Sequence, residues 1–319
     1  MTPRISVLMP VFNGGAYLEA AVASVLAQSF GDFELLIVDD GSTDRSREVV
    51  DAFAARDERV RLLCKANSGI SDTLNLGLDE ARGDWIARLD ADDLMLPARL
   101  ERQLAFLDTN PDVVAVGSYY DLINEIGERR VTRYPLPRTR EELARYLEAR
   151  ELLTFTHPTM TYRRDLALAL GGYRRELEPC EDADLFARML ARGGTILIQP
   201  EVLTLYRVHG GSISHRKTRE MFSKLRFVFH NFYGARDGRL PISYAEFQAY
   251  RKCQPVSARL RAGCDYVSEV LYRSSTAALV DGKRLRAGLS LAGAAALKPQ
   301  KAIRRALRNL PFTTPEVAG

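Results

Sequence analysis

The first 118 residues alternate short apolar runs with longer amphipathic stretches, and this alternation limits the folds open to the chain. Runs rich in Val, Ile and Leu, typical of strands, cover residues 5–9, 33–39, 60–64, 84–90 and 113–118. Between them, the spacing of apolar side chains predicts helices over residues 16–28, 43–56, 71–82 and 97–109. Apolar strands separated by helices indicate an α/β fold with a mostly parallel central sheet and helices on both faces.

The rest of the chain divides at about residue 214. Residues 119–214 carry shorter, mixed elements, including helices near 140–148 and 181–192 and the strands TILIQ and VLTLY. Residues 215–319 read as helical and basic, with no further strand. We therefore predict one α/β domain of residues 1–214, made of the halves 1–118 and 119–214, and a helical C-terminal region of residues 215–319.

The second predicted strand ends in VDDGSTD, and parallel sheets bind ligands at such carboxyl ends. A turn followed by a helix cap at Ser42 or Thr43 explains Asp40 and Gly41, but it does not explain Asp39, which still lies inside the strand. A carboxylate there can accept hydrogen bonds from a ribose or a nucleobase. No GxGxxG follows the first strand and no GxxxxGK[ST] occurs, which excludes the common dinucleotide and P-loop sites.

The fourth predicted strand ends in RLDADD, with three aspartates in four positions. A turn and a helix N-cap need only one of them. In an extended chain Asp90 and Asp92 point to the same side, so both carboxylates face one ligand. Hard divalent cations prefer oxygen ligands, and one or two carboxylates suffice when phosphates supply the rest. The pattern therefore predicts a cation held on a polyanionic ligand.

These segments together resemble the family-2 nucleotide-sugar glycosyltransferases. The resemblance rests on PVFN, VDDGSTD, NSGISDTLNLGLDEARGDWIARLDADD, GGY, EDADLFARM and YRVHGGSIS, which occur in the order typical of the family from Ile5 to Ser214. It implies a GT-A fold and inverting transfer of a sugar from a nucleoside-diphosphate sugar, UDP being the expected nucleotide. The halves 1–118 and 119–214 then become the donor-binding and acceptor-side halves of a catalytic domain.

The resemblance also assigns residues on the donor side. Asp39 would contact the base, Asp90 the ribose side, and Asp92 would bind Mg²⁺ or Mn²⁺ on the diphosphate. Arg207 and His209 are expected to contact the diphosphate or the metal, although a surface ion pair and a structural histidine remain alternatives. The other expected donor contacts are Pro10, Phe12, Asn13, Asn67, Gly69, Asn75, Arg88 and Ala91.

On the acceptor side, inverting transfer needs a general base for the acceptor hydroxyl. The family places it in the pair Glu181-Asp182, and we assign Asp182, with Glu181 as the second candidate. Acids at a helix start also offset the helix dipole, and Asp184 is expected to be structural. His157 faces the acceptor or is a buried, hydrogen-bonded histidine. The segment 212–218 is either a lid over the donor or a basic linker.

The C-terminal region suggests a partner for the enzyme. The stretch 284–312 interleaves Leu and Ile with Lys and Arg, and Pro299 divides it into two short helices. Packing on the catalytic domain explains the first helix, whereas the second fits an anionic membrane surface. We expect a cytoplasmic protein, with peripheral contact with the inner face of the membrane as a hypothesis and a glycan or lipid-linked acceptor.

Two other functions stay open at this point. A sugar nucleotidyltransferase would want a basic Gly-rich loop after the first strand, where PVFNGGAYLEA has no basic residue. A catalytically inactive nucleotide-sugar-binding module would not need Asp92 and Asp182. A net charge of only +4 argues against nucleic acid as a partner. The favoured function is a metal-dependent glycosyltransferase of cell-surface or exopolysaccharide synthesis.

Overall fold

The structure of the protein is a computed structural model that describes residues 2–209, 218–300 and 302. The strands are β1 (Ile5–Val11), β2 (Phe33–Asp39), β3 (Val60–Cys64), β4 (Trp85–Arg88), β5 (Leu94–Met95), β6 (Val113–Ile123), β7 (Arg129–Arg133), β8 (Thr161–Arg163) and β9 (Thr195–Arg207). The helices up to residue 209 are α1 (Leu18–Leu26), α2 (Ser46–Ala54), α3 (Ile70–Glu80), α4 (Arg99–Thr109), α5 (Arg140–Glu148), α6 (Arg164–Ala169) and α7 (Glu181–Ala191). From residue 218 onward they are α8 (Thr218–Arg236), α9 (Tyr244–Cys253), α10 (Val256–Val280) and α11 (Arg284–Leu297).

The strands form one curled sheet in the order β3-β2-β1-β4-β8-β6-β9-β5, with β7 paired to β6. The predicted parallel arrangement holds for β1 to β4, where β2 and β4 flank β1 and β3 pairs with β2. The second part of the sheet is mixed: β6 and β9 are parallel, while the pairings of β8, β7 and β5 are antiparallel. The short turn between β6 and β7 imposes antiparallel pairing, since parallel neighbours need a long crossover.

Helices cover both faces of the sheet, which explains why its strands are apolar throughout. Along β1, Val7 and Met9 belong to one buried cluster with α1, and Leu8 belongs to the other cluster with α3. Successive side chains of a strand point to opposite faces, so a strand with two covered faces has no polar alternation.

Four strand predictions differ from the structure. β6 continues beyond Ser118 to Ile123. β4 ends at Arg88 instead of Asp90. β1 continues through Pro10 to Val11, beyond the last residue paired with β4, where a missing N–H is tolerated. TILIQ and VLTLY form the single strand β9, because irregular pairing with β6 near Pro200 absorbs the predicted break.

The C-terminal region is helical in residues 218–300, as predicted. α8 packs on α7, and α10 and α11 form an antiparallel hairpin in which Ser268 and Ser275 donate hydrogen bonds to the carbonyls of Ala294 (3.0 Å) and Ala287 (2.9 Å). The proposed boundary at residue 214, the segment 212–217 and the basic helix after residue 302 lie outside the described residues. Within the described part of the chain, no helix combines the length and apolar character needed to cross a membrane.

Candidate active site

The carboxyl ends of β1, β2 and β4 meet at one edge of the sheet and bring the predicted donor residues together. Val11 pairs with Asp39 at the end of β2, and Arg88 at the end of β4 pairs with Leu8 of β1. Phe12, directly after β1, is 54% exposed at this edge. Residues from three neighbouring strands therefore meet at one edge of the sheet, the usual position of a ligand in such sheets.

Asn13 locks the loop after β2 into place. It adopts a positive φ of 52°, and its Oδ1 accepts hydrogen bonds from the main-chain N–H groups of Thr43 (2.8 Å) and Asp44 (3.3 Å). These bonds draw residues 42–45 away from α2, which begins at Ser46. The predicted helix start at Thr43 and the predicted cap at Ser42 or Thr43 are therefore wrong. The predicted contact between Asn13 and the donor stays a prediction.

Asp39 and Asp40 have different surroundings although both are buried. Asp40 pairs with Lys65 and accepts hydrogen bonds from the main-chain N–H groups of Ser68 (2.9 Å) and Gly69 (3.1 Å), so it holds the loop after β3. Among the described residues, Asp39 accepts one bond, at its Oδ1, from the N–H of Ser42 (3.1 Å). Asp40 is therefore structural, and Asp39 retains an oxygen for a ligand.

The loop after β3 lies close to the turn that follows β2. Gly41 has a φ of +73°, and a side-chain carbon there would lie 2.9 Å from the main-chain nitrogen of Asn67. Asn67 is exposed at the same edge, and Gly69 (φ +102°) precedes α3. Glycine at 41 thus permits the contact that carries Asn67 to the mouth of the site.

Arg88 lies beneath this edge and holds Asp90. It is 2% exposed, donates a hydrogen bond to the Asp90 carboxylate (2.5 Å), and also bonds the carbonyl of Leu89. Burial raises the pKa of Asp90, and the charge of Arg88 opposes that shift. Arg88 therefore acts on the site through Asp90, and its direct contact with a donor stays a prediction.

The three aspartates form a turn and not the extended segment assumed above. The N–H of Asp93 donates to the carbonyl of Asp90 (3.2 Å), and Ala91 lies inside the turn. The turn still gathers the acids, because carboxylate oxygens of Asp90, Asp92 and Asp93 lie within 4.8 Å of one another. Asp92 also contacts His209, with 2.7 Å between Oδ2 and Nε2, and this hydrogen bond raises the pKa of His209.

Asp93 was not assigned a role from the sequence, yet it is the most buried acid of the turn at 1% exposure. Its Oδ1 accepts a hydrogen bond from the N–H of Arg207 (2.7 Å), whereas its buried Oδ2 has no hydrogen-bond partner in the described residues. Burial raises the pKa of Asp93 well above its usual range. Oxygen donors this close together, one of them unpartnered, fit a hard divalent cation such as Mg²⁺ or Mn²⁺.

Arg207, at the end of β9, ties this turn to the β6–β7 hairpin. Its guanidinium donates to the carbonyls of Asp92 (2.8 Å), Asn124 (3.0 Å) and Glu125 (2.9 Å). It also lies 4.5 Å from the ring centroid of Tyr17, a residue that the sequence did not single out. Arg207 positions the aspartates, and its expected contact with a diphosphate stays a prediction.

The pair at the start of α7 contains two acids with raised pKa values. Burial raises the pKa of Asp182 to about 6, with Arg88 opposing the shift and Asp90 adding to it. Burial and the charge of Asp182 raise the pKa of Glu181 to about 8. At neutral pH Asp182 is ionised and Glu181 is protonated, so Asp182 is the better proton acceptor of the two.

The loop before α7 is held by residues distant in sequence. Asn75 donates to the carbonyl of Tyr173 (2.8 Å) and accepts from its N–H (2.7 Å). Arg188 pairs with Asp184 (2.8 Å) and donates to the carbonyl of Gly172 (2.6 Å). Asp184 is thus structural, as expected. Asn75 positions the loop, and its contact with a donor stays a prediction.

His157 belongs to a buried chain of hydrogen bonds. Its Nε2 lies 2.8 Å from the hydroxyl of Tyr173, which lies 2.6 Å from the hydroxyl of Tyr162. Burial and the charge of Arg88 lower the pKa of His157 well below its usual value. Of the two alternatives for His157, the structure has the buried, hydrogen-bonded histidine.

The chain is similar in sequence to known glycosyltransferases. The family model described as "Glycosyl transferase family 2" matches residues 6–171. The O-antigen biosynthesis glycosyltransferase WbnJ of Escherichia coli is 32% identical over 212 residues, which cover 65% of this chain and 81% of WbnJ. The amylovoran biosynthesis glycosyltransferase AmsE of Erwinia amylovora is 28% identical over 215 residues, covering 66% and 79% of the two chains.

Solved structures share the fold at low sequence identity. S. aureus TarS 1–349 in complex with UDP-GlcNAc has a TM-score of 0.57 at 16% identity and covers 95% of this chain and 92% of its own. The mannosyltransferase PcManGT from Pyrobaculum calidifontis, in complex with GDP-Man and Mn²⁺, has a TM-score of 0.55 at 19% identity. The match covers 98% of this chain and 89% of PcManGT. With its motifs in order, the family model over half its length and this GT-A architecture, the chain belongs to glycosyl transferase family 2.

Proposed function

We propose that the protein transfers a sugar from a nucleoside diphosphate to a hydroxyl of a glycan or lipid-linked acceptor, with inversion at the anomeric carbon. One observation carries this proposal: the aspartate turn of the donor edge and Asp182 at the start of α7 share one electrostatic neighbourhood. Burial raises the pKa of both Asp90 and Asp182, the charge of Asp90 adds to the rise for Asp182, and the charge of Arg88 opposes the rise for both. A single in-line displacement needs such a pairing of donor site and base.

Asp182 is the proposed general base. It would accept the proton of the acceptor hydroxyl as that oxygen attacks the anomeric carbon. A pKa of about 6 leaves Asp182 ionised at neutral pH while keeping it basic enough to take a proton. Glu181, with its pKa of about 8, carries a proton under the same conditions.

The proposed cation site consists of Asp92 with the oxygens of Asp90 and Asp93 and the imidazole of His209. These residues would hold Mg²⁺ or Mn²⁺, which would supply positive charge for the leaving diphosphate. The contacts of Arg88 and Arg207 support the proposal, because they fix Asp90 and the turn around it before any ligand arrives. The complex of PcManGT with GDP-Man and Mn²⁺ points the same way.

The proposed nucleotide is UDP, with Asp39 accepting hydrogen bonds from the base. This choice draws on the family and on the TarS complex with UDP-GlcNAc, whereas the PcManGT complex contains GDP-Man. The other proposed donor contacts are Pro10, Phe12, Asn13, Asn67, Gly69, Asn75, Arg88, Asp90, Ala91 and Arg207. The names of WbnJ and AmsE support a role in cell-surface or exopolysaccharide synthesis.

We further propose that the protein works at the cytoplasmic face of the membrane through peripheral contact. α11 supports this, since Leu285 is 80% exposed and Leu289 is 69% exposed. The neighbouring Lys283, Arg284 and Arg286 are also exposed. Apolar side chains flanked by basic ones suit the surface of an anionic bilayer.

Nucleotide release from a panel of nucleoside-diphosphate sugars tests the proposed reaction. We expect Mn²⁺-dependent release of the diphosphate and free sugar from one donor, and loss of release with EDTA. A sugar nucleotidyltransferase would instead form pyrophosphate from a nucleoside triphosphate and a sugar phosphate. An inactive binding module would bind a donor and release nothing, so either outcome would overturn the proposal.

A further inference from the structure

A row of large side chains crosses one face of the sheet beside the candidate site. Arg133 of β7 stands directly opposite Tyr120 of β6 in the antiparallel pair. The ring of Tyr120 lies 5.8 Å from that of Tyr206 on β9, measured between centroids. Opposed residues of a ladder share one face. Arg133, Tyr120 and Tyr206 therefore form one continuous strip, called here the acceptor wall.

One end of the acceptor wall lies at the aspartate turn. Arg207, the residue after Tyr206, donates its main-chain N–H to the carboxylate of Asp93 (2.7 Å), so Tyr206 lies beside the turn. Tyr206 is half-buried and therefore remains partly accessible. The wall thus begins where the proposed donor diphosphate would lie.

The other end is closed by α10, which brings a second arginine. Arg133 donates to the hydroxyls of Tyr272 (3.0 Å) and Thr276 (2.5 Å). Arg273 follows Tyr272 on the same helix, and its guanidinium lies 3.8 Å from the Sδ of Met221. The thiol of Cys180, directly before α7, donates to the carbonyl of Met221 (3.1 Å). Arg273 therefore reaches from the wall toward the start of α7.

The charge of the wall is positive. Arg133 bonds hydroxyl groups, and the described residues place no carboxylate within ion-pair distance of it. Arg273 contacts Glu269 at 3.5 Å and remains 33% exposed. Two guanidinium groups therefore lie along a strip whose other side chains are aromatic and which runs from the aspartate turn toward the start of α7.

We propose that this wall binds the acceptor and that the acceptor carries a negative charge, as a phosphate or a carboxylate on a sugar. The inference rests on the proposed function, since it names the substrate class of the same site. Aromatic rings pack against the apolar faces of sugars. A guanidinium pairs with phosphate or carboxylate oxygens in a bidentate fashion, and Arg suits that geometry better than Lys. Arg133 and Arg273 are the residues that select the charge.

The experiment uses the full chain and proceeds in two stages. Calorimetric titration with UDP and GDP in Mn²⁺ comes first, because failure of both nucleotides to bind contradicts the proposed function itself. Glucose 1-phosphate, glucuronic acid and glucose are then titrated into the nucleotide-saturated protein, with binding followed by saturation-transfer NMR. Saturation with nucleotide keeps the sugar phosphate away from the donor site.

We expect at least one charged sugar to bind about tenfold more tightly than glucose, and Arg133→Gln or Arg273→Gln to remove that preference. Preference for glucose 1-phosphate identifies a phosphate-bearing acceptor, and preference for glucuronic acid identifies a carboxylate. Arg130→Gln removes a charge from the same strand, where Arg130 pairs with Glu128, and should keep the preference.

Arg133→Lys keeps the positive charge but loses the paired N–H donors of the planar guanidinium. It should therefore retain part of the preference for the charged sugar. Thermal unfolding checks that each variant is folded. Nucleotide binding combined with equal affinity for the three sugars would overturn the inference, as would a preference that survives both Gln variants.

Discussion

Replacing Asp182 with Asn removes the proposed base while keeping the size of the side chain, and the pKa of Asp182 sets the expected pH dependence. With a pKa of about 6, the ionised fraction is about one tenth at pH 5 and about nine tenths at pH 7. We therefore expect the kcat/KM of the wild-type protein to rise about tenfold between these pH values and then to level off. The direction of this pH dependence follows from burial. Burial raises the pKa of Asp182, so activity falls at a higher pH than it would with an exposed aspartate.

Asp182→Asn should lower kcat by about 10²–10⁴-fold, the usual contribution of a positioned base. Nucleotide affinity should not change, because the base acts on the acceptor. Initial rates of nucleotide release, measured from pH 5 to 8 with the donor found in the panel, give both numbers, and calorimetry gives the affinity.

Glu181→Gln serves as the matched comparison for Asp182→Asn. Since burial and Asp182 keep Glu181 protonated up to a pH of about 8, a neutral amide reproduces its charge at pH 7. We expect a much smaller loss of kcat than in Asp182→Asn. We also expect kcat/KM of this variant still to fall between pH 7 and pH 5. An equal loss in both variants, or a wild-type rate that does not change between pH 5 and 7, would refute the assignment of Asp182.

The remaining predictions concern stability and membrane contact. Arg188→Met should lower the free energy of unfolding by about 3–5 kcal/mol, because it leaves buried Asp184 without its main partner. Arg163→Met, which breaks an exposed pair, should cost about 0–1 kcal/mol, and chemical denaturation measures both; equal losses would contradict the argument from burial. The full chain should bind anionic liposomes in a salt-sensitive way. Binding should weaken when residues 299–319 are deleted and should be lost when Leu285→Ser and Leu289→Ser are combined with that deletion, as measured by co-sedimentation. Equal binding to neutral vesicles, or none by the intact chain, would rule out the membrane contact.

Local sequence patterns were sufficient to predict those elements whose structure depends mainly on their own residues. β2, β3 and α5 have the predicted bounds, because apolar runs and helical spacing act over a few residues. The geometry of the candidate site could not be predicted from local sequence patterns alone. The carboxylates of Asp90 and Asp92 come together, but in a turn whose geometry depends on Arg207, more than a hundred residues away.

Hydrogen bonds between residues far apart in the sequence could not be predicted from sequence patterns. Asn75 and Tyr173 are 98 positions apart, so neither segment indicates that the other completes it. Arg99 resembles any charged residue of an amphipathic helix, yet it is fully buried and donates to the carbonyls of Pro158 (2.6 Å) and Arg88 (3.0 Å). Such partners follow from the fold of the sheet and not from spacing in the chain.

Calorimetric titration of UDP into the wild-type protein and Asp92→Asn, each with Mn²⁺ and with EDTA, tests the central claim most directly. The claim is that the aspartate turn holds a cation on a nucleoside diphosphate. Because the Asp92 side chain is 31% exposed, the substitution should leave the fold intact, which thermal unfolding checks. We predict that Mn²⁺ strengthens UDP binding to the wild-type protein at least tenfold and has little effect on Asp92→Asn. Equal strengthening in both proteins, or UDP binding that does not respond to Mn²⁺ in the wild type, would contradict the account.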